Sequence, residues 1–110
     1  MEKKNHSLKI SYDKDKEEIV LESLNPKRFT HYGFGTFLEN VDPKEILISK
    51  GALEALVNCP ERSGLQGLEF WPDNRLAWGS LSKNFIVPYD SINCPKGAKS
   101  WLKNCEVYQD

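Results

Sequence analysis

Cysteine is scarce in this chain, which has three among its 110 residues: Cys59, Cys94 and Cys105. An odd number of cysteines, without a secretory signal pattern, predicts reduced thiols in a cytoplasmic protein. A structural zinc site needs about four ligands, usually supplied as close pairs. The successive gaps here are 35 and 11 residues, so we expect the thiols to be packed as small buried hydrophobic groups.

Long apolar runs and an excess of charge of one sign are also missing. No stretch approaches the roughly 18 apolar residues that a membrane span requires. Fifteen basic and sixteen acidic residues give a formal net charge of −1, which provides no overall field to attract nucleic acid or an anionic membrane. Hydrophobic residues make up 39% and charged residues 28%, a composition typical of globular proteins. We therefore predict one globular domain over 1–110.

Familiar catalytic and cofactor motifs are absent as well. Only two residues separate Cys59 from Arg62, too few for a loop whose backbone amides must wrap a phosphate. Gly33 and Gly35 lack the third glycine and the following helix of a dinucleotide-binding fold. The sequence therefore predicts no cofactor and no metal site. One enzyme hypothesis is retained, in which His31 acts together with a cysteine.

Alternation of apolar and polar residues dominates the N-terminal part. Leu8, Ile10 and Tyr12 alternate with polar residues, a charged turn follows, and a β-rich run begins near Ile19. This pattern predicts a hairpin over 8–24. Residues 31–38 interleave three aromatic side chains with two glycines, which favours an irregular, bulged strand.

Two helix-start signals compete between residues 42 and 58. Asp42 and Pro43 are typical of a helix beginning at once, whereas the β-branched run that follows favours an extended segment over 45–48. Ser49 is a second candidate N-cap. We predict a strand followed by a helix over about 50–58, with one continuous helix over 43–58 as the alternative.

Residues 66–89 read as three short strands around two tight turns. The runs over 66–71, 75–81 and 85–89 are separated by turn-forming residues. Leu76 and Trp78 are two apart and so share one face of a strand. We expect Trp78 and Phe70 in the core and Trp71 half exposed.

A final helix is predicted over about 95–105. Pro95 can open it, and apolar residues recur at helical spacing up to Cys105. The complete prediction is an α+β fold in which an antiparallel sheet of about five strands (hairpin 8–24, meander 66–89) packs against two helices (about 50–58 and 95–105).

Two short segments carry a resemblance to known sequences. The run 49–56 (SKGALEAL), followed by 78–81 (WGSL), resembles a set of small uncharacterised proteins encoded on bacterial plasmids. Those proteins usually carry aspartate before the tryptophan, where this chain has Ala77. The resemblance implies a bacterial mobile element as the source, and no activity.

These observations favour a small cytoplasmic, non-enzymatic protein that docks on another protein, as an inhibitor, immunity or accessory protein does. The aromatic and basic residues of the turn region are the residue types that anchor interfaces. The candidate partner-binding residues are Trp71, Arg75, Trp78, Lys83 and Phe85. Pro88 cannot donate a hydrogen bond and so marks either an edge strand or the end of a strand. A homodimer through an edge strand is a further possibility.

Single-stranded nucleic-acid binding is the alternative from a different class. In that hypothesis Trp71 and Phe85 stack on bases while Arg75 and Lys83 contact phosphates. It predicts an affinity that falls steeply with salt.

Overall fold

The structure is a computed structural model that describes residues 6–33, 35–58, 68–71, 74–79, 84–93 and 102–109. Its strands are β1 (Leu8–Asp13), β2 (Glu18–Ser23), β3 (Thr30–Tyr32), β4 (Gly35–Leu38), β5 (Ile46–Ser49), β6 (Leu68–Trp71), β7 (Arg75–Trp78), β8 (Asn84–Pro88), β9 (Ile92–Asn93) and β10 (Glu106–Tyr108), and its α-helix is α1 (Lys50–Val57). Single 3₁₀ turns occupy Pro26–Arg28, Pro43–Glu45 and Tyr89–Ser91.

The described strands form two sheets, where one sheet of about five strands was predicted. Sheet 1 has the order β10-β5-β1-β2-β8 and is mixed, because β5 runs parallel to both β1 and β10. Sheet 2 has the order β3-β4-β7-β6-β9, with four antiparallel strands and the short β9 parallel to β6. The α+β class is confirmed, but the single antiparallel sheet is wrong.

The predicted hairpin over 8–24 is confirmed as β1–β2, which pair from Leu8↔Ser23 to Asp13↔Glu18. The Asp13 carboxylate closes the turn by accepting hydrogen bonds from the amides of Asp15 and Lys16, at 3.1 and 3.2 Å. Short acidic side chains favour such local bonds, which give the backbone an alternative to strand pairing.

The strand-then-helix prediction is confirmed, and the continuous helix over 43–58 is wrong. Ser49 ends β5, and its hydroxyl accepts a hydrogen bond from the amide of Ala52 at 3.0 Å, which caps α1. Asp42 is also a cap, with Lys44 as its donor, but the helix it starts is only the 3₁₀ turn at Pro43–Glu45. Both sequence signals were therefore genuine, and they belong to two different elements.

The predicted meander over 66–89 is wrong in its third strand. β6 and β7 form the expected antiparallel hairpin, but β8 leaves sheet 2 and pairs antiparallel with β2 at the edge of sheet 1. The irregular strand predicted over 31–38 is a hairpin instead, with Tyr32 opposite Gly35 and two residues between them. Two residues are the commonest hairpin connection.

Most of the predicted helix over 95–105 lies outside the described residues. At its end, Leu102 and Cys105 are buried, as the apolar stripe predicted. The short strand β10 that follows them was not predicted.

The core is one cluster of buried side chains to which both sheets and α1 contribute. Sheet 1 supplies residues such as Ile10 and Ile48, and sheet 2 supplies Leu38 and Leu76, all with no measurable exposure. Apolar contact of this kind stabilises by about 25 cal/mol per Å² removed from water.

An ion pair joins two connections that cross from one sheet to the other. Arg28 lies between β2 and β3, and Glu45 lies between β4 and β5. The guanidinium donates from Nη2 to Oε1 of Glu45 at 2.6 Å and from Nε to Oε2 at 3.2 Å. The amide of Ser7 also donates to the Glu45 carbonyl at 2.7 Å. The hydrogen bonds from the Arg28 guanidinium to the Glu45 carboxylate raise the pKa of Arg28.

We predict that Arg28→Ala lowers the free energy of unfolding by about 1–2 kcal/mol, since it removes charge-assisted hydrogen bonds at a partly exposed site. Arg28→Lys should recover only part of this, because lysine lacks the planar fork. Urea denaturation measures both. Lys27→Ala, at an exposed neighbour, is the control and should change stability little; an equal loss there would contradict the role given to the ion pair.

Candidate binding surface

Sheet 2 turns one face toward the core and the other away from it. Leu38, Leu68, Leu76 and Trp78 share the buried face. Because side chains alternate along a strand, the residues between them lie on the opposite face, and the strand register aligns them. We call this the outer face of sheet 2. Its members are Thr30, Tyr32, Phe37, Glu69, Trp71, Arg75 and Ala77, and two of them, Glu69 and Ala77, are buried.

Trp71 and Arg75 form a stacked pair at one corner of the outer face. They are direct cross-strand partners on β6 and β7, and the guanidinium carbon lies 4.6 Å from the centre of the indole ring. The Trp71 side chain is 37% exposed. A cation held over an aromatic face is stabilised by the ring quadrupole, so each side chain helps to hold the other in position.

The turn between β6 and β7 holds that pair in register. Asn74 has φ +63°, in the left-handed region, and its amide donates to the Trp71 carbonyl at 3.2 Å. Asparagine tolerates this conformation better than most residues. The Asn74 carbonyl accepts from the amide of Val41 at 2.8 Å, which anchors the turn to the β4–β5 connection.

A second aromatic pair lies on the β3–β4 hairpin. The rings of Tyr32 and Phe37 meet edge to face with their centres 5.0 Å apart, and Tyr32 is 47% exposed. The neighbouring strands approach closely here, since a Cβ atom at Gly35 would lie only 2.7 Å from the carbonyl oxygen of Trp78. Glycine at this position therefore allows β4 to pair with β7.

Glu69 lies in the same cross-strand row as Phe37, with Ala77 between them. It is opposite Ala77, and its side chain is only 8% exposed. No hydrogen-bond or ionic partner for its carboxyl is found among the described residues. Burial raises the pKa of Glu69, because the charged form loses hydration without compensation.

Of the five predicted site residues, the structure brings together Trp71 and Arg75. Trp78 lies on the opposite face of the same sheet, 4% exposed and packed edge to face on Phe29 at 5.5 Å, as predicted for a core residue. Its Nε1 has no acceptor among the described residues. Phe85 packs against the core from β8 in sheet 1. Lys83 is outside the described residues, as is the side chain of Phe70.

The residues of the enzyme hypothesis are placed as follows. His31 lies on β3, where its Nδ1 is 3.2 Å from the hydroxyl of Thr36 directly across the hairpin. Cys105 is buried, and burial raises the pKa of its thiol to about 12, so it is protonated at neutral pH. Cys59 and Cys94 lie outside the described residues.

An open groove of about 470 Å³ lies between α1 and the β1–β2 turn. Its lining includes Tyr12, Lys14, Glu54 and Tyr89. The Tyr89 hydroxyl donates to the carbonyl of Ala55 at 2.7 Å, so that group helps to position the helix.

Within the described ranges, no group of three or more His, Cys, Asp or Glu side chains is placed to hold a metal ion. Among those same residues, no helix has both the length and the apolar character needed to cross a membrane. Comparisons with protein-family models, with curated proteins and with solved structures find no match to this chain.

Sequence reasoning missed Tyr32, Phe37 and Glu69 as parts of this surface. The signal for the first two was present, because a two-residue gap between Tyr32 and Gly35 permits a hairpin. Glu69 gave no signal, since its burial depends on strands that are distant in sequence.

We predict that Asn74→Ala lowers the free energy of unfolding by about 1 kcal/mol, since alanine lacks the short polar side chain through which asparagine tolerates the left-handed conformation. Asn74→Gly should be neutral or stabilising, because glycine adopts that conformation readily. Urea denaturation of the two variants separates these effects. Equal stability of the two would contradict the assigned turn geometry.

We predict that Glu69→Gln raises the melting temperature at pH 7. A raised pKa means that the folded state binds the proton more tightly than the unfolded state, so stability falls as pH rises through the window above the ordinary glutamate value. The gain from Glu69→Gln should therefore shrink as the pH is lowered. Thermal melts from pH 4 to 7 measure this, with the exposed Glu39→Gln as control; a gain that does not change with pH would contradict the argument.

Proposed function

We propose that this chain is a small, non-enzymatic, cytoplasmic protein that docks on another protein through the outer face of sheet 2. The observation that supports this most directly is the Trp71–Arg75 pair, half exposed and held at a 4.6 Å stacking distance on a short hairpin. Tryptophan, tyrosine and arginine are the residues that most often dominate binding energy, and this face presents all of them.

The fixed geometry of the surface supports a binding role. The Asn74 turn and the cross-strand register hold the ring and the guanidinium in one arrangement, so little side-chain freedom remains to be lost on association. Ordering a long side chain at an interface costs about 0.5–1.5 kcal/mol, and a pre-stacked arginine avoids part of that cost.

The charge of the face favours a protein over a nucleic acid. Its described side chains include one cation, Arg75, and one carboxyl, Glu69, which lies only two residues from Trp71 on the same strand. Nucleic-acid affinity comes largely from several cations that neutralise phosphates. Inhibitor, immunity and accessory proteins work by occupying a surface of their target, and a rigid aromatic patch on a small fold suits that task.

We predict that Trp71→Ala weakens binding of the partner at least tenfold, since truncation of a tryptophan that anchors an interface typically costs about 2 kcal/mol or more. The tagged wild-type protein is used to recover partners from a lysate of its own host, and the affinity of the recovered protein is then measured for each variant. Arg75→Ala should cause a smaller loss, because the indole ring of Trp71 remains as a contact although it loses the guanidinium stacked on it.

Tyr108→Ala is the matched control. Tyr108 also forms an aromatic–cation pair, with Lys9 at 5.3 Å, but that pair lies on sheet 1. Its replacement should leave the affinity unchanged. Retention of the partner by Trp71→Ala, or a captured complex that nuclease destroys and salt weakens steeply, would reject protein docking at this face.

A further inference from the structure

Among the described strands, β8 stands at one edge of sheet 1 and leaves that edge open. Among the described strands it pairs only with β2. Asn84, Ile86 and Pro88 are exposed, and Ile86, at 55%, is the most exposed of the described large hydrophobic side chains. None of the five residues of β8 is charged, although charged residues commonly protect open edges from pairing.

The hydrogen-bond pattern shows which backbone groups of β8 point outward. The Tyr89 amide donates to the Glu17 carbonyl at 2.9 Å, which makes those two residues a hydrogen-bonded pair in the register of β2 and β8. Because such pairs alternate in antiparallel strands, Val87 and Phe85 bond to β2. The backbone groups of the alternate residues then point to the open edge; these residues are Asn84, Ile86 and Pro88. Pro88 has no amide hydrogen, but because its nitrogen faces the open edge, no hydrogen bond to β2 is lost.

We propose that the open edge pairs with β8 of a second copy of this chain, antiparallel and with Ile86 opposite Ile86. In this register the two Ile86 residues exchange both backbone hydrogen bonds, and each Asn84 amide donates to the Pro88 carbonyl of the other copy. Each Asn84–Pro88 pair lacks only the hydrogen bond that the proline nitrogen cannot donate. The pairing would join two copies of sheet 1 into one continuous sheet.

Side chains on both faces of the sheet are self-complementary in this register. On the outward face, Val20 lies beside Ile86. The dimer therefore has one continuous apolar row across four strands: Val20 and Ile86 of one copy, then Ile86 and Val20 of the other. On the core face, Phe85 of each copy comes opposite Val87 of the other. A register shifted to place Ile86 opposite Asn84 would lose the first of these rows.

The charges nearest the edge do not oppose the pairing. On β2, Glu22 is opposite Asn84 and Glu18 is opposite Pro88. In the dimer, the two uncharged β8 strands therefore lie between the carboxylates of one copy and those of the other. At about 4.8 Å per strand, the separation is roughly 14 Å, which exceeds the Debye length of about 8 Å at physiological salt. The net charge of −1 per chain adds little repulsion. The contact uses neither Trp71 nor Arg75 and is therefore independent of the proposed function.

Light scattering coupled to size-exclusion chromatography tests the assembly over a range of concentrations. The wild-type protein should reach twice its chain mass of 12.6 kDa, and Ile86→Lys should remain at the single mass. Val107→Lys is the matched control, because Val107 is also exposed on a described edge strand, β10, and this variant should still dimerise. Circular dichroism checks that each variant is folded.

Ile86→Cys tests the register, including the case in which Ile86→Lys does not fold. Opposed residues in a hydrogen-bonded antiparallel pair have Cα atoms about 5.5 Å apart, which is within disulfide range. Mild oxidation should give a reducible covalent dimer of Ile86→Cys and none of Val107→Cys. A wild-type protein that stays monomeric, a dimer that survives Ile86→Lys, or no cross-link at position 86 would each overturn the proposal. If the wild-type protein is monomeric and Ile86→Lys abolishes capture of a partner protein, the edge of β8 binds a strand of that other protein. This result would also overturn the proposal.

Discussion

The geometry of this fold depends on how the chain is held where it crosses between the two sheets. The connection after β2 and the connection after β4 cross in opposite directions, and the bidentate contact of Arg28 with Glu45 joins them. Glu45 also receives the amide and hydroxyl of Ser7 at the start of β1. Through its carboxylate and its backbone carbonyl, Glu45 thus connects three segments that are far apart in sequence, and it adds a polar link to the core that the two sheets share.

This arrangement separates two surfaces with different chemistry. The outer face of sheet 2 carries aromatic side chains, a stacked arginine and a buried carboxyl, and it offers shaped side-chain contacts. The open edge of β8 offers backbone hydrogen bonds beside an exposed isoleucine. Because the two surfaces belong to different sheets, self-association at one leaves the other available to a partner.

Local signals in the sequence predicted local structure well. Ser49 caps α1 where the N-cap preference placed it, and the alternation at Leu8, Ile10 and Tyr12 gave the first strand. Trp71 is half exposed and Trp78 is buried, as expected, and Trp78 shares the buried face of β7 with Leu76. These features depend on the periodicity of neighbouring residues, which the sequence contains in full.

Partner choice among strands was beyond the same reasoning. The alternation of Phe85 and Val87 fits a strand in either sheet, and the short turn before them favoured pairing with β7, the preceding strand. β8 pairs instead with β2, more than sixty positions away along the chain. The candidate site was limited in the same way. Phe85 was grouped with Trp71 because the two are close in sequence, whereas Tyr32 and Phe37 reach the surface through pairing of β4 with β7.

The parallel pairing of β5 with β10 has a consequence for how the molecule is made. β5 cannot complete its hydrogen bonds until Glu106–Tyr108 has been synthesised, so during translation one side of β5 stays unpaired. Contacts between residues this distant raise the contact order and slow folding. The nascent chain therefore finishes sheet 1 only when its last described strand leaves the ribosome.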